Sequence, residues 1–371
     1  MTSHRAWVPR ASNIQPTMAR FTSWAAPYVD AMEATLERRI ARRLFTLGWR
    51  PQVITYPTYG VASDVNGRQG WVRVLARVLL TRPRPGSGES EGGRGWRSFL
   101  TVAVPDVQVN VVAGGREHTL RSGRGGYLDT VVGSDLGPGV HELGLRTYGS
   151  PTQHAAVHVV GPEERFGIIS DIDDTVIITA LPRPLVAARN AFLHLDTSRR
   201  PVLGMASFFG ALLTEHPDAL VVYVSTGAWN VAPAMGRFLA RHGYPAGPLL
   251  MTDWGPAEDR LFRSGAEHKR TALRRLLSEL PHISWVLVGD DGQHDPAIYD
   301  ELVSARPQAI RLVAIRELTA AEQVRTHGTL DPPDEHTPAA EGQQPGDGIP
   351  RLRGRDGHEL VRNLSHLPSA Y

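Results

Sequence analysis

Phe166–Val176 reads FGIISDIDDTV. A short apolar run ends in alternating carboxylates, Asp171-x-Asp173-x-Thr175. The apolar part predicts a buried strand, and the acids fall where that strand ends and the chain must turn. Two carboxylates at one such point can divide a reaction between them. One attacks phosphorus, and the other gives a proton to the leaving oxygen and later takes one from water. Alternating acids also suggest a calcium loop. That loop requires glycine at its sixth position, where this chain has Val176.

Outward from this stretch the same grammar repeats toward the C-terminus. ALVVYVSTG, GPLLMTD, SWVLVGDD and AIRLVAI are apolar runs that end in polar residues. Helical patterns separate them at Pro201–His216, Val231–His242 and Lys269–Glu279. Alternating strands and helices predict a parallel sheet covered on both faces, with ligands at the carboxyl ends of its strands. Ala219–Asn230 ends in Ser225-Thr226-Gly227, and a hydroxyl there can hold a phosphate oxygen. Trp285–Tyr299 reads WVLVGDDGQHDPAIY, with Asp290, Asp291 and Asp295. Hard oxygen donors of this kind suit Mg²⁺.

Of the 40 lysines and arginines, Lys269 is the single lysine. Arginine serves every generic surface role in this chain, so a lone lysine marks a place that needs a compact ammonium. At the start of a helix it can neutralise crowded carboxylates and grip a phosphate.

The N-terminal side reads differently. Val53–Val160 contains VITYPTYG, WVRVLARVLL, SFLTVAV, VQVNVV, YLDTVV, HELGLR and AAVHVV, punctuated by Gly, Pro, Asp and Ser. This predicts an antiparallel, sandwich-like domain or small barrel of about seven strands, with a flexible loop over Thr81–Gly95. Pro27–Trp49 has the spacing of an amphipathic helix, acidic at its start and basic at its end. It docks on a domain or touches anionic lipid. The expected organisation is an N-terminal segment over 1–50, a β-rich domain over 51–160, an α/β domain over 161–318, and a disordered tail over 319–371. The tail is rich in Pro, Gly, Gln and His.

The chain has 371 residues, 41% hydrophobic and 21% charged, with net charge +2 and no cysteine. These values argue against a strong field toward nucleic acid and exclude disulfides and thiolate metal sites. No apolar run has the length of a signal peptide or membrane span, so a cytoplasmic location is expected.

Taken together, Asp171-x-Asp173-x-Thr175, Ser225, Lys269 and Gly289-Asp290-Asp291 resemble the haloacid-dehalogenase superfamily of phosphatases. Closer still is the actin-patch phosphatidate phosphatase family. The matching text is Asp171-Ile-Asp-Asp-Thr-Val, Tyr223-Val-Ser with Trp229, His268-Lys269, and Gly289-Asp-Asp-Gly-Gln-His-Asp-Pro with Tyr299. The β-rich segment is similar too. The chain departs from the pattern at Thr226-Gly227-Ala228, where Asn-Ser-Pro is expected.

The resemblance implies a Rossmann-like parallel sheet without a large cap, and Mg²⁺-dependent hydrolysis of a phosphomonoester. Asp171 would be the nucleophile and Asp173 the acid/base. Ser225 and Lys269 would be catalytic, and Asp171, Asp173, Asp290 and Asp291 would hold Mg²⁺. Thr175, Thr226, Gly227, Trp229 and Asp295 would line or support the site. The implied substrate is a phosphatidate-like lipid, met by a cytoplasmic protein peripheral at the membrane. The alternatives are another large phosphomonoester, such as a phosphoprotein or nucleic-acid end, or a partner-binding module with a slow phosphatase. Nucleic-acid binding as such is not expected, and nothing in the sequence sets an oligomeric state.

Other residues invite plainer readings. His294 reads as a solvated loop histidine, Asp174 as a supporting carboxylate, and Arg183, Arg199 and Arg200 as a solvated face. Trp229 suits helix docking and substrate lining equally. Neither the interval Thr175–Ser225 nor Ser225–Lys269 has room for a folded cap, since domains rarely fall below about 50 residues. An open site is therefore expected.

Overall fold

A computed structural model describes residues 43–64, 67–81, 102–178, 200–252, 261–292, 294–327 and 348–367. After a helical turn at residues 43–46, the first half is built of strands: β1 (Arg50–Thr55), β2 (Thr58–Val61), β3 (Trp71–Thr81), β4 (Val102–Ala103), β5 (Gln108–Ala113), β6 (Arg116–Arg121), β7 (Tyr127–Gly133), β8 (Gly139–Thr147) and β9 (Gln153–Val160). β5 alternates strictly between exposed and buried residues, the period of a strand with one face on a core. These nine strands form one hydrogen-bonded sheet in the order β1-β3-β2-β9-β8-β5-β6, with β4 and β7 also on β3. All pairs are antiparallel except β2 with β9.

The sheet curls around a core that includes Val53, Val74, Val78, Val111, Leu143, Leu145 and Val157. His118 of β6, the last strand of the path, bonds the carbonyl of Gly133 in β7 at 2.8 Å, so that end of the sheet comes back beside a partner strand of β3. Of the two expected forms, a sandwich or a small barrel, the single curled sheet is nearer the second. VITYPTYG is two strands, parted at Pro57, which has no N–H to donate. β6 was not expected at all, because its residues are exposed or half-buried and show no apolar alternation.

The second half contains β10 (Phe166–Asp171), β11 (Ile177–Ile178), β12 (Arg200–Pro201), α1 (Met205–Leu213), β13 (Leu220–Ala228), α2 (Ala232–Arg241), β14 (Leu249–Thr252), α3 (Leu261–Glu279), β15 (Ser284–Asp290), α4 (Asp295–Ala305), β16 (Ile310–Arg316), α5 (Ala320–His327), β17 (Arg351–Gly354) and α6 (Gly357–Leu364). Six strands form a parallel sheet in the order β14-β13-β10-β15-β16-β17. β10 is buried at every residue, as expected of a central strand between two helical layers. The chain leaves β10 to one side for β13 and β14, then returns to the other side at β15. The carboxyl ends of β10 and β15 therefore flank the reversal point, where open α/β sheets bind ligands. Crossovers of the usual right hand would put α1 and α2 on one face and α3 and α4 on the other.

The expected tail over 319–371 is corrected. α5, β17 and α6 are built from it, and β17 pairs parallel with β16. Leu352, Leu360 and Leu364 are buried, and their contribution is hidden in a polar average because the apolar residues are few. Gly357 lies so close to Gly204 that an added Cβ would fall 2.1 Å from that carbonyl carbon, so only glycine seats α6 against α1. The expected helix Pro27–Trp49 and the loop Thr81–Gly95 fall almost wholly outside the described residues, as do Arg183 and Arg199.

The two halves are packed together. Tyr56, Tyr59, Leu75 and Val160 belong to the core of the α/β half. Tyr59 OH donates to Glu279 Oε2 of α3 at 2.7 Å. Arg73, buried in β3, bonds both Glu279 and Asp129. Arg275 Nη1 reaches Asp129 Oδ2 at 2.7 Å.

Candidate active site

β10 delivers Asp171 at its last residue, and the chain then folds back on itself. The amides of Val176 and Ile177 donate to the carbonyl of Ile172, and that of Asp174 donates to Ile177. Asp174 adopts a left-handed φ of 59°, a region that asparagine and aspartate enter more readily than other side chains. This tight turn holds Asp171, Asp173 and Thr175 at the sheet end.

The neighbouring strands bring the rest. Lys269 Nζ, 5% exposed, donates to Asp171 Oδ1 at 2.7 Å and also bonds Asp295 Oδ1. Ser225 Oγ at the end of β13 donates to Asp173 Oδ2 at 3.2 Å and accepts from the Gly227 amide at 3.0 Å. Thr175 Oγ1 donates to Asp290 Oδ2 at 3.3 Å, and the Gly292 amide donates to Asp290 Oδ1 at 2.8 Å. Carboxylate oxygens of Asp171, Asp290 and Asp295 lie within 4.8 Å of one another. All three residues are buried.

The membership of this cluster differs from expectation. Asp291, expected among the metal-holding acids, turns away. Its Oδ1 accepts from the Leu318 amide at 2.8 Å, and its own amide donates to Arg316. Asp295, expected as a supporting residue, is the third carboxylate of the cluster. It is the first residue of α4, where an acid is favoured by the helix dipole. A side chain at Gly289 would strike Asp295 Oδ2, 2.5 Å from the ideal Cβ, so this glycine lets the carboxylate approach β15.

Three clustered acids meet one buried lysine, and Asp295 Oδ2 has no hydrogen-bond partner among the described residues. Burial pushes Asp171 up to about 8 despite the pull of Lys269, with Asp295 and Asp173 adding to the rise. Burial, then Asp295 and Asp171, hold Asp290 well above the carboxylate range. For Lys269, burial works against the charge, but the two carboxylates overcome it and keep the ammonium protonated. A surplus of negative charge in a buried, all-oxygen site fits a small hard cation.

The other expected residues sit around this centre. Thr252 Oγ1 donates to the carbonyls of Thr226 and Gly227 at 2.8 and 3.1 Å, bracing the end of β13 on β14. Trp229 is half-buried and its ring lies 4.5 Å from that of Tyr56, so it docks on the β-rich half while keeping an open edge. His294 and Arg200 are exposed, as their plainer reading has it. Arg316 was missed, although an arginine closing the apolar run AIRLVAIR stands out at a strand end. Among the described residues, the intervals on either side of Ser225 consist of core elements. Residues 179–199 and 253–260 lie outside that description, so the expectation of an open site is not decided there.

Comparison with known proteins bears on this second half. Residues 166–317 match the family model for the catalytic domain of phosphatidate phosphatase APP1. An uncharacterised protein of Schizosaccharomyces pombe is 26% identical over 152 residues, 41% of this chain and 25% of that one. Phosphatidate phosphatase APP1 of Saccharomyces cerevisiae is 27% identical over 152 residues, 40% of this chain and 25% of that protein. The chain thus spans about a quarter of the length of the curated relatives it matches. Among solved structures, a carbohydrate acetylesterase from Xanthomonas citri aligns over 72% of this chain and 68% of that one, at 11% identity. Its TM-score of 0.27 is too low to support any structural argument. By its sequence match, the segment 166–317 is similar to the catalytic domain of phosphatidate phosphatase APP1.

Proposed function

We propose that the chain hydrolyses a phosphatidate-like phosphomonoester in two steps through a phospho-Asp171 intermediate, at a haloacid-dehalogenase-type site with Mg²⁺. The observation that carries this is the Lys269 ammonium held between Asp171 and Asp295, with Asp173 next to Ser225. Asp171, Asp290 and Asp295 would hold the ion. When bound, Mg²⁺ would offset the charge of the phosphate and help to orient it.

In the first step a carboxylate oxygen of Asp171 attacks phosphorus. The bond to the leaving oxygen breaks, and Asp173 gives that oxygen a proton. In the second step Asp173 takes a proton from water, whose oxygen attacks the same phosphorus. The Asp171–phosphorus bond breaks and phosphate leaves. Lys269 draws Asp171 toward its ionised form against the effect of burial and aims it, and Ser225 orients Asp173. The family match supports the lipid class. The protein would meet this substrate from the cytoplasm, peripherally at the membrane.

The test uses the full chain with Mg²⁺, and measures phosphate release from phosphatidate in micelles against sugar phosphates and free nucleotides. Phosphatidate is expected to be the preferred substrate. Asp171→Asn should keep the fold and lose about a thousandfold in turnover, roughly 4 kcal/mol of transition-state stabilisation. Normal turnover by a folded Asp171→Asn protein would sink the mechanism. Better turnover of a small soluble phosphate would sink the lipid assignment.

A further inference from the structure

Arg316 closes β16, is 4% exposed, and uses all three of its guanidinium nitrogens. Nη1 donates to the carbonyl of Asp174 at 2.7 Å, inside the turn that follows Asp171. Nη2 donates to Glu322 Oε1 at 2.6 Å, and Nε donates to the carbonyl of Arg355 at 3.2 Å. The backbone carbonyl of Arg316 accepts from Asp291, next to Asp290. One residue thus touches the nucleophile turn, the acidic loop, α5 and the loop between β17 and α6.

Each partner of Arg316 is itself held. Glu322 forms a capping box with Thr319: the Thr319 amide donates to Glu322 Oε2 at 2.9 Å, and the Glu322 amide to Thr319 Oγ1 at 3.3 Å. The Glu317 amide donates to Gly354 at 2.9 Å, fixing β17 beside β16. Asp174 is in a left-handed conformation. A non-glycine residue stays there only when its surroundings over-determine it, and the bond to its carbonyl is such a constraint. Glu322 and Arg355 lie beyond the residues that match the catalytic-domain family.

We propose that Arg316 is a positioning residue, whose fork, held by Glu322 of α5 and the carbonyl of Arg355, fixes the turn that aims Asp171 and Asp173. The proposal rests on the phosphatase reading of the same site. On this view the segment beyond the family match is part of the catalytic unit. The planar fork is required, because an ammonium cannot reach three acceptors in these directions.

The test compares two full-length variants. Arg316→Lys keeps the charge and loses the fork. Leu360→Ala loosens the same C-terminal unit, since Leu360 is fully buried in α6, but removes none of the Arg316 hydrogen bonds. Phosphate release from phosphatidate micelles with Mg²⁺ is measured beside melting temperature and backbone hydrogen exchange over residues 171–178. Arg316→Lys should lower kcat by about tenfold or more and leave KM within about threefold. It should also speed exchange at the amides of Asp174, Val176 and Ile177. Leu360→Ala should lower the melting temperature and keep kcat within about twofold at temperatures well below it. If kcat simply tracks melting temperature across both variants, and loop exchange is unchanged in Arg316→Lys, the proposal is overturned. Should Arg316→Lys fail to fold, Glu322→Gln carries the expectation at about threefold in kcat, and an unchanged kcat there overturns it. Failure of the phosphatase reading looks different: Asp171→Asn would then keep its turnover, while the exchange readout needs no turnover.

Discussion

Lys269 sits between Asp171 and Asp295 in a space that leaves its side chain 6% exposed. A guanidinium is planar and larger, and directs its hydrogens in a fixed fork. Lys269→Arg should therefore cost about tenfold or more in kcat/KM, roughly 1.4 kcal/mol. An unchanged rate would show that a guanidinium serves this position as well as an ammonium. The neighbouring acids separate in the same way. Asp295→Asn removes charge from the cluster and should raise the Mg²⁺ concentration for half-maximal rate by about tenfold. Asp291→Asn keeps an oxygen for the Leu318 amide and should shift that concentration by less than about threefold. Equal shifts from the two variants would contradict the membership of the cluster drawn from the geometry.

At the scale of elements, α3 has a chemical task at its middle and a structural one at its C-terminal end. Lys269 lies about midway along it, and Arg275 and Glu279 lie near its end on the β-rich half. Glu279 takes hydrogen bonds from Tyr59 and from Nε and Nη2 of Arg73. Removing one member leaves Arg73 buried with only Asp129, itself 43% exposed. Glu279→Ala should destabilise the protein by about 2–3 kcal/mol, below the cost of breaking a wholly buried pair because Glu279 keeps some contact with water. Urea unfolding reads this as a lower midpoint at constant slope. A loss below about 0.5 kcal/mol would mean that the pair contributes little beyond a surface salt bridge.

For the whole molecule, the two sheets share apolar contacts as well as ion pairs. Tyr56 and Tyr59 are nearly fully buried within the core of the α/β half, and Tyr56 packs against Trp229 beside the site. A contact of this kind couples domains that composition alone would treat as independent. Calorimetry of the full chain should show one cooperative transition, with calorimetric and van't Hoff enthalpies in agreement. Two resolved transitions would show that the halves unfold separately and that the shared contacts are weak.

The amino-acid sequence by itself determined the pattern of β10, the residues at the ends of β10, β13 and β15, and the α/β character of the second half. These are short-range features: a buried strand reads as a continuous apolar run, and a catalytic turn as the polar residues that end it. It also marked Lys269, because a single lysine among many arginines is visible without coordinates. Other features were decided only by tertiary structure. Whether Asp291 or Asp295 joins Asp171 depends on the start of α4 and on the missing side chain of Gly289. β6 has no buried face, so no alternation announces it. The strand and helix beyond Pro350 hold few apolar residues, and their burial arises from pairing with β16 and from the close approach of Gly357 to Gly204. The reach of Arg316 to Asp174, Glu322 and Arg355 joins residues far apart in the chain, and no local pattern encodes such a meeting.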